Sequence, residues 1–120
     1  MTEEEALIKL VQLGCKGDPN LYISIKGKNP PRPTINIRID PEVTEELLIE
    51  LQEALGGFIG RGYNGVKATT GWILYEEDGA VQILKKLIWP LERTKTKNGI
   101  MKAGYAREVL IIWQQKRIIQ

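Results

Sequence analysis

Two short runs of alternating apolar and polar residues constrain the fold most. In residues 21–28, leucine and isoleucine alternate with tyrosine, serine and lysine, and residues 34–39 repeat the alternation with isoleucine against threonine, asparagine and arginine. A period of two places the apolar side chains on one face of a strand and the polar ones on the other. The proline-rich segment 29–33 between the runs predicts a loop. We therefore expect a half-buried hairpin with a basic, hydrogen-bonding outer face.

Helical patterns flank this hairpin. Thr2 followed by Glu5 is a capping box, which predicts a helix from Glu3 to about residue 17. The pair Asp40-Pro41 predicts the N-cap and first residue of a second helix over residues 41–55. Gly56-Gly57 is expected to end that helix.

A second hairpin and two further helices complete the chain. Residues 58–63 and 66–75 flank Asn64-Gly65, a strong hairpin turn signal. A third helix is predicted over residues 79–89, with Asp78 as its cap and Pro90 as its end. A basic loop over residues 93–97 and a last helix from Asn98 to about residue 117 follow. Helices alternating with antiparallel hairpins predict one α+β domain over residues 1–120, with the helices packed on one face of a sheet.

Composition narrows the chemistry. The chain contains no histidine and a single cysteine, Cys15. Histidine-based catalysis, most zinc sites and an internal disulfide are thereby excluded, which leaves carboxylates, lysines, hydroxyls or a metal held by oxygen. No apolar run approaches the roughly 18 residues that a membrane helix needs. We expect no membrane partner and a location inside the cell, in a reducing compartment.

Charge is strongly segregated although the net charge is only +2. Residues 21–39 hold four bases and no acid, residues 41–55 hold five acids and no base, and residues 93–117 hold seven bases and one acid. One surface can therefore be strongly basic and suit a polyanion. A set of ordinary solvated faces is the alternative.

The outer face of the first hairpin is the strongest candidate for binding. Twisted β-ribbons fit the DNA major groove, where arginine and lysine read guanine and asparagine reads adenine. The complete lack of acids across both strands favours this interpretation over a polar surface of mixed sign. By parity the face carries Tyr22, Ser24, Lys26, Lys28, Arg32, Thr34, Asn36 and Arg38, and the second hairpin and the basic loop add Arg61, Tyr63, Lys67, Thr69 and Lys97.

Residues 10–25, LVQLGCKGDPNLYISI, resemble the signature helix and first strand of LAGLIDADG homing endonucleases. The likeness continues in the order and spacing of the later elements over nearly the whole chain. It implies an αββαββα unit whose curved sheet forms a saddle over double-stranded DNA. With one signature per chain, it also implies a homodimer that pairs through the first helix and recognises a long, pseudo-palindromic site.

The resemblance further implies a metal-dependent active site. The last acid of the signature is Asp18, which would hold Mg²⁺ together with the Gly17 carbonyl. Lys95 is the best match for a basic residue near the reacting phosphate, with Lys97 next. Asp40 falls where the family often has a polar residue near the solvent pocket. The expected activity is hydrolysis of both DNA strands.

Some residues depart from the family pattern. Leu13 replaces a small residue, Lys16 stands where an acid is frequent, and Pro19 follows Asp18 in place of glycine. Proline restricts the backbone of the residue before it. A relative that binds DNA or intron RNA without cutting, as a maturase or a repressor-like module, is therefore the alternative. A structural α+β domain without a nucleic-acid partner is a third hypothesis.

Overall fold

The chain folds into helices packed on an antiparallel sheet. The computed structural model describes residues 1–16, 21–27, 30–38, 43–63 and 68–119, with side chains at these positions other than 61–63, 68, 69 and 117–119. The elements are α1 (Glu3–Lys16), β1 (Tyr22–Lys26), β2 (Arg32–Arg38), α2 (Glu45–Leu55), β3 (Phe58–Tyr63), β4 (Ala68–Leu74), a 3-10 turn (Glu76–Asp78), α3 (Ala80–Arg93) and α4 (Lys97–Ile119). The predicted α+β class is confirmed.

The sheet has four strands in the order β1-β2-β4-β3, so the two hairpins join through β2 and β4. Neighbouring strands are antiparallel, with Ile35 opposite Leu74 and Ile37 opposite Trp72 at the central junction. These four side chains are fully buried and belong to the core cluster that includes the helices. One continuous sheet surface therefore faces away from the core.

Helix α1 begins with the predicted capping box. The Thr2 amide donates to Glu5 Oε1 (2.9 Å), and the Glu5 amide donates to Thr2 Oγ1 (3.1 Å). The backbone hydrogen bond from Thr2 lowers the pKa of Glu5. On the inner side of α1, Leu10 and Gly14 are buried. A side chain at Gly14 would place its Cβ 2.8 Å from Leu91 Cδ2, so α1 and α3 approach closely because this residue is glycine.

The N-cap of α2 differs from the prediction. Asp40 was expected to cap a helix that starts at residue 41, but α2 begins at Glu45 and its N-cap is Thr44, whose Oγ1 accepts from the Leu47 amide (3.2 Å). Val43 is fully buried directly before the cap, which fixes where the chain enters the helix. Asp40 itself lies outside the described residues. At the other end Gly56, with φ of 86°, ends α2 as predicted.

The replacement Thr44→Ala is expected to lower the free energy of unfolding by about 1 kcal/mol, because the Leu47 amide loses its side-chain acceptor. Urea unfolding followed by circular dichroism measures the loss. Gln82→Ala, at an exposed position inside α3, is the control and should change stability only marginally. An unchanged midpoint for Thr44→Ala would contradict the assignment of this cap.

Helix α3 passes through the position where it was predicted to end. Pro90 lies inside α3, which continues to Arg93 because the fully buried Leu91 holds the last turn on the core. Its N-cap is Gly79 rather than Asp78, which instead accepts from the Tyr75 amide (3.3 Å) in the 3-10 turn. The predicted basic loop is correspondingly shorter, because only residues 94–96 separate α3 from α4.

Asn98 was predicted to cap the last helix, and this was wrong. Thr96 Oγ1 accepts from the Gly99 amide (3.0 Å) and so occupies the capping role for α4. Asn98 Nδ2 instead donates to the Cys15 carbonyl at the end of α1 (3.1 Å). This bond satisfies a terminal carbonyl that the helix cannot pair internally.

The strands follow the predicted alternation with small shifts. Strand β2 starts at Arg32, before the predicted residue 34, and Pro33 pairs with Ile25 in a part of β2 that precedes its register with β4. Proline is tolerated at such a position near the start of a strand. Strand β3 has the predicted bounds, and the predicted turn at Asn64-Gly65 lies outside the described residues. Within the described ranges, none of the helices has the length and apolarity to cross a bilayer.

Candidate nucleic-acid interface

The open face of the sheet carries the polar residues of the first hairpin. The register places Tyr22 opposite Asn36, Ser24 opposite Thr34, and Lys26 opposite Arg32. Directly opposed residues project on the same side of an antiparallel pair. The structure therefore brings together on one face the predicted contact residues Tyr22, Ser24, Lys26, Arg32, Thr34, Asn36 and Arg38.

Among these residues, Thr34 has a structural role. It is fully buried, and its Oγ1 lies 2.8 Å from Ser24 Oγ across the strand pair. Thr34 also donates to the Ser24 carbonyl (3.4 Å). Cross-strand hydroxyl pairs of this kind stabilise a hairpin. Thr34 therefore stabilises the strand pair, and its burial argues against the direct contact with DNA that its parity predicted.

Cations on the face differ in their pairing. Lys26, Arg32 and Arg38 are exposed. Arg32 Nη1 lies 2.6 Å from Glu77 Oε1, and both side chains are about half exposed. Glu77 comes from the 3-10 turn after β4, so the acid-free stretch of sequence could not reveal it. The Glu77 carboxylate reduces the positive potential at the Arg32 end of the face.

Tyr22 lies between two cations. The Arg38 Cζ and the Lys102 Nζ are each 5.6 Å from the centroid of its ring. Lys102 Nζ is also 5.7 Å from the Tyr105 ring, and this lysine is only 1% exposed. Contacts of this kind hold a cation over an aromatic face. The sequence shows Lys102 only as one of the seven bases in residues 93–117, because nothing in the local pattern marks a single lysine as buried.

Lys102 and Asn98 reach the end of α1 from the same helix. A Cβ added to Gly14 would lie 4.0 Å from Lys102 Cγ, and Asn98 binds the Cys15 carbonyl. Helix α1 and strand β1 flank residues 17–20, which include the candidate metal ligands. The first turns of α4 therefore lie against the C-terminal end of α1.

The described side chains that β3 and β4 contribute to this face are apolar. Ile73 lies between the fully buried Trp72 and Leu74, so it points to the open side, where it is opposite Phe58. Phe58 is 60% exposed, and its ring lies 6.3 Å from that of Tyr75 at an interplanar angle of 71°. Next along these strands, Gly60 is opposite Gly71. The face is thus basic on one hairpin and aromatic on the other.

Several predicted site residues lie outside this description. Residues outside the described ranges are Gly17, Asp18, Lys28, Asp40 and Lys67. For the second hairpin the structure gives backbone register only, with Arg61 opposite Thr70, Tyr63 opposite Ala68, and Thr69 opposite Gly62. Within the described residues there is no group of three or more acidic or cysteine side chains that could hold a metal ion.

The basic turn after α3 forms a separate feature. Lys95 has a positive φ of 56°, a conformation that few residues other than glycine adopt. It lines a cleft of about 410 Å³ together with Trp89, Glu92, Arg93 and Arg107. Lys97 is exposed at the first position of α4. The neighbours of Lys95 in this cleft thus come from the end of α3 and the middle of α4.

The outer side of α1 is apolar. Ile8 is 59% exposed, and with Leu7 and Val11 it lines a hollow of about 190 Å³ whose other wall includes Pro90. Trp89, next to Pro90 on α3, is 58% exposed. An exposed apolar surface of this kind, shared by two helices, is typical of a protein interface.

No protein-family model, curated protein or solved structure matches the chain. The likeness to LAGLIDADG homing endonucleases consists of the signature-like residues 10–25 and the order of elements. The order αββαββα followed by one more helix is the one observed here.

Proposed function

We propose that the chain is a site-specific endonuclease of the homing-endonuclease type, which binds double-stranded DNA as a homodimer and hydrolyses it with Mg²⁺. The observation that supports this function most is the open face of the sheet, where Lys26 and Arg38 are exposed and Arg38 lies two residues from Asn36 on β2. The free thiol of Cys15, on α1, suits a protein of a reducing compartment inside the cell.

The chemistry of the face suits the DNA major groove. Lysine and arginine neutralise phosphates or read guanine, and asparagine pairs with adenine through two hydrogen bonds. Lys26 and Arg38 lie on neighbouring strands at opposite ends of the hairpin, because Lys26 is opposite Arg32, six residues or about 20 Å along β2 from Arg38. A two-stranded ribbon enters the major groove, so the two side chains can contact one duplex at separate points along it.

The apolar surface of α1 and α3 supports the proposed homodimer. A stable dimer buries on the order of 800 Å² on each partner, more than one helix face supplies. Trp89, the residue before Pro90 on α3, is a second large exposed apolar side chain, and large aromatic side chains are frequent anchors of interfaces. Pairing of two copies about a two-fold axis through α1 would bring both Asp18 residues to the centre of the molecule.

The proposed reaction uses Asp18 of both protomers, with the Gly17 carbonyl, as oxygen ligands for Mg²⁺. When bound, the ion would activate water and stabilise charge on the leaving oxygen. We propose Lys95 as the basic residue near the reacting phosphate, as the resemblance implies. Lys97, which is exposed at the first position of α4, is the second candidate for this role.

Binding of a polyanion by this face predicts a specific salt dependence. The plot of log K against log salt has a negative slope, and the double variant Lys26→Ala/Arg38→Ala should make this slope less negative by about 1.8. Each lost phosphate contact on duplex DNA accounts for about 0.9 of the change. Fluorescence anisotropy with a duplex probe over a series of salt concentrations measures the slope.

The matched control is Lys85→Ala, an exposed lysine of α3 on the helical side of the molecule. It should leave the slope unchanged. An equal change of slope in the control and the double variant would contradict the assignment of the face. A wild-type chain with no affinity for DNA even at low salt would instead favour a structural domain without a nucleic-acid partner.

A relative that binds DNA or intron RNA without cutting is the second candidate. It is favoured by Pro19, which restricts the backbone of Asp18 and lacks an amide donor. Both candidates use the same basic face, and they differ only in cleavage. Incubation of wild-type protein with Mg²⁺ and a duplex library, followed by sequencing of cut ends, separates them.

A further inference from the structure

We propose that Phe58 and Ile73 contact thymine methyl groups in the major groove, so that the recognised duplex is rich in A·T pairs beneath the second hairpin. This inference rests on the proposed binding of double-stranded DNA. It names a part of the target sequence and the two side chains that select it.

A single row of side chains carries the inference. The row crosses all four strands in register and consists of Tyr22, Asn36, Ile73 and Phe58. Phe58 is 60% exposed at one end, and Ile73 is half-buried beside it. A side chain at Gly60 would meet no atom of the described residues within 4 Å, and this leaves room next to Phe58 for a ligand.

An exposed phenylalanine beside a half-buried isoleucine gains stability only when an apolar partner covers it. The edges of base pairs in the major groove present one apolar group, the C5 methyl of thymine. Lys26 Nζ lies 5.9 Å from the centroid of the Tyr75 ring, which packs on Phe58, so a cation stands beside the apolar patch. A polyanion therefore complements the charge around the patch while its methyl groups complement the rings.

Asn36 points to the same base pairs. It is directly opposite Ile73, one strand spacing or about 5 Å away. Asparagine binds the N6 and N7 edge of adenine, whose partner in the pair is thymine. Adjacent readers of adenine and of the thymine methyl group together favour A·T pairs.

The test removes methyl groups from the DNA and the ring from the protein. Duplexes are first selected by the wild-type chain from a random-sequence library, and each thymine in the selected duplex is then replaced by deoxyuridine. Loss of a contacted methyl group should lower the affinity of the wild-type chain about fourfold. The variant Phe58→Ala should show a smaller difference between the two duplexes, because only the contact made by Ile73 remains. Phe58→Leu, which keeps an apolar side chain, should retain part of the difference.

The control is Arg38→Ala, which should lower affinity for both duplexes and keep their ratio. Equal sensitivity to deoxyuridine in the wild-type chain and Phe58→Ala would overturn the inference while leaving DNA binding intact. A Phe58→Ala defect confined to mismatched or single-stranded probes would also overturn it, because the ring would then stack on unpaired bases. Absence of any duplex binding by the wild-type chain would instead refute the proposed function.

Discussion

The variant Asp18→Asn is expected to lose cleavage of duplex DNA by at least about 10³-fold while keeping its affinity for the same duplex. In the proposed site the Asp18 carboxylate binds Mg²⁺, and the amide keeps the size of this group but removes its negative charge. The proposed dimer would supply one Asp18 from each protomer, so the replacement would remove two charges from a single site. Cleavage is measured with the selected duplex and Mg²⁺, and affinity is measured without the metal.

Asp78→Asn is the matched control. Asp78 lies in the exposed 3-10 turn, accepts a hydrogen bond from the Tyr75 amide and belongs to no proposed site. It should cut at the wild-type rate. Asp40→Asn tests the proposed place of Asp40 near the solvent pocket, and this variant should slow cleavage without abolishing it. If the wild-type chain and Asp18→Asn bind equally and neither cuts, the endonuclease proposal fails and the non-cleaving relative takes its place.

The second large effect is expected from Ile8→Glu, which should raise the dissociation constant of the dimer by at least about 100-fold. Ile8 is 59% exposed in the isolated chain and lies at the centre of the apolar surface of α1. In a two-fold interface one replacement occurs twice, so two unpaired charges would be buried. Sedimentation velocity over a range of protein concentrations measures the shift.

Ile49→Glu provides the matched control, because Ile49 is 44% exposed on α2, outside the apolar surface of α1 and α3. It should remain dimeric. A dimer that persists in Ile8→Glu would contradict pairing through α1. A wild-type chain that is monomeric at every concentration would contradict the proposed architecture as a whole.

Local patterns predicted the fold where packing and propensity agree. The capping box at Thr2 and the alternation of β1 both appear as the sequence indicates. The predicted helix end at Pro90 and the predicted N-cap at Asp40 were wrong for different reasons. Burial of Leu91 keeps α3 going past a residue that usually ends a helix, and Thr44 offers a cap closer to the buried leucines of α2 than Asp40 does.

The candidate site was predictable as a set of residue types rather than as an arrangement. Parity alone placed Lys26, Asn36 and Arg38 on one face, because a strand allows only two sides. The ion pair of Arg32 with Glu77 and the burial of Lys102 depend on elements distant in sequence. No local pattern contains such contacts, so the electrostatics of the face needed the structure.

The hydrogen bond from Asn98 to the Cys15 carbonyl links the final helix to the C-terminal end of α1, so this helix is an integral part of the fold. Ala103 and Ala106 are fully buried in the same helix, against the rest of the core. A truncated chain that stops at Arg93 would therefore expose core surface. It would also remove the side-chain donor of the Cys15 carbonyl at the end of α1. Fusion partners and tags are accordingly better attached after the last residue than substituted for that helix.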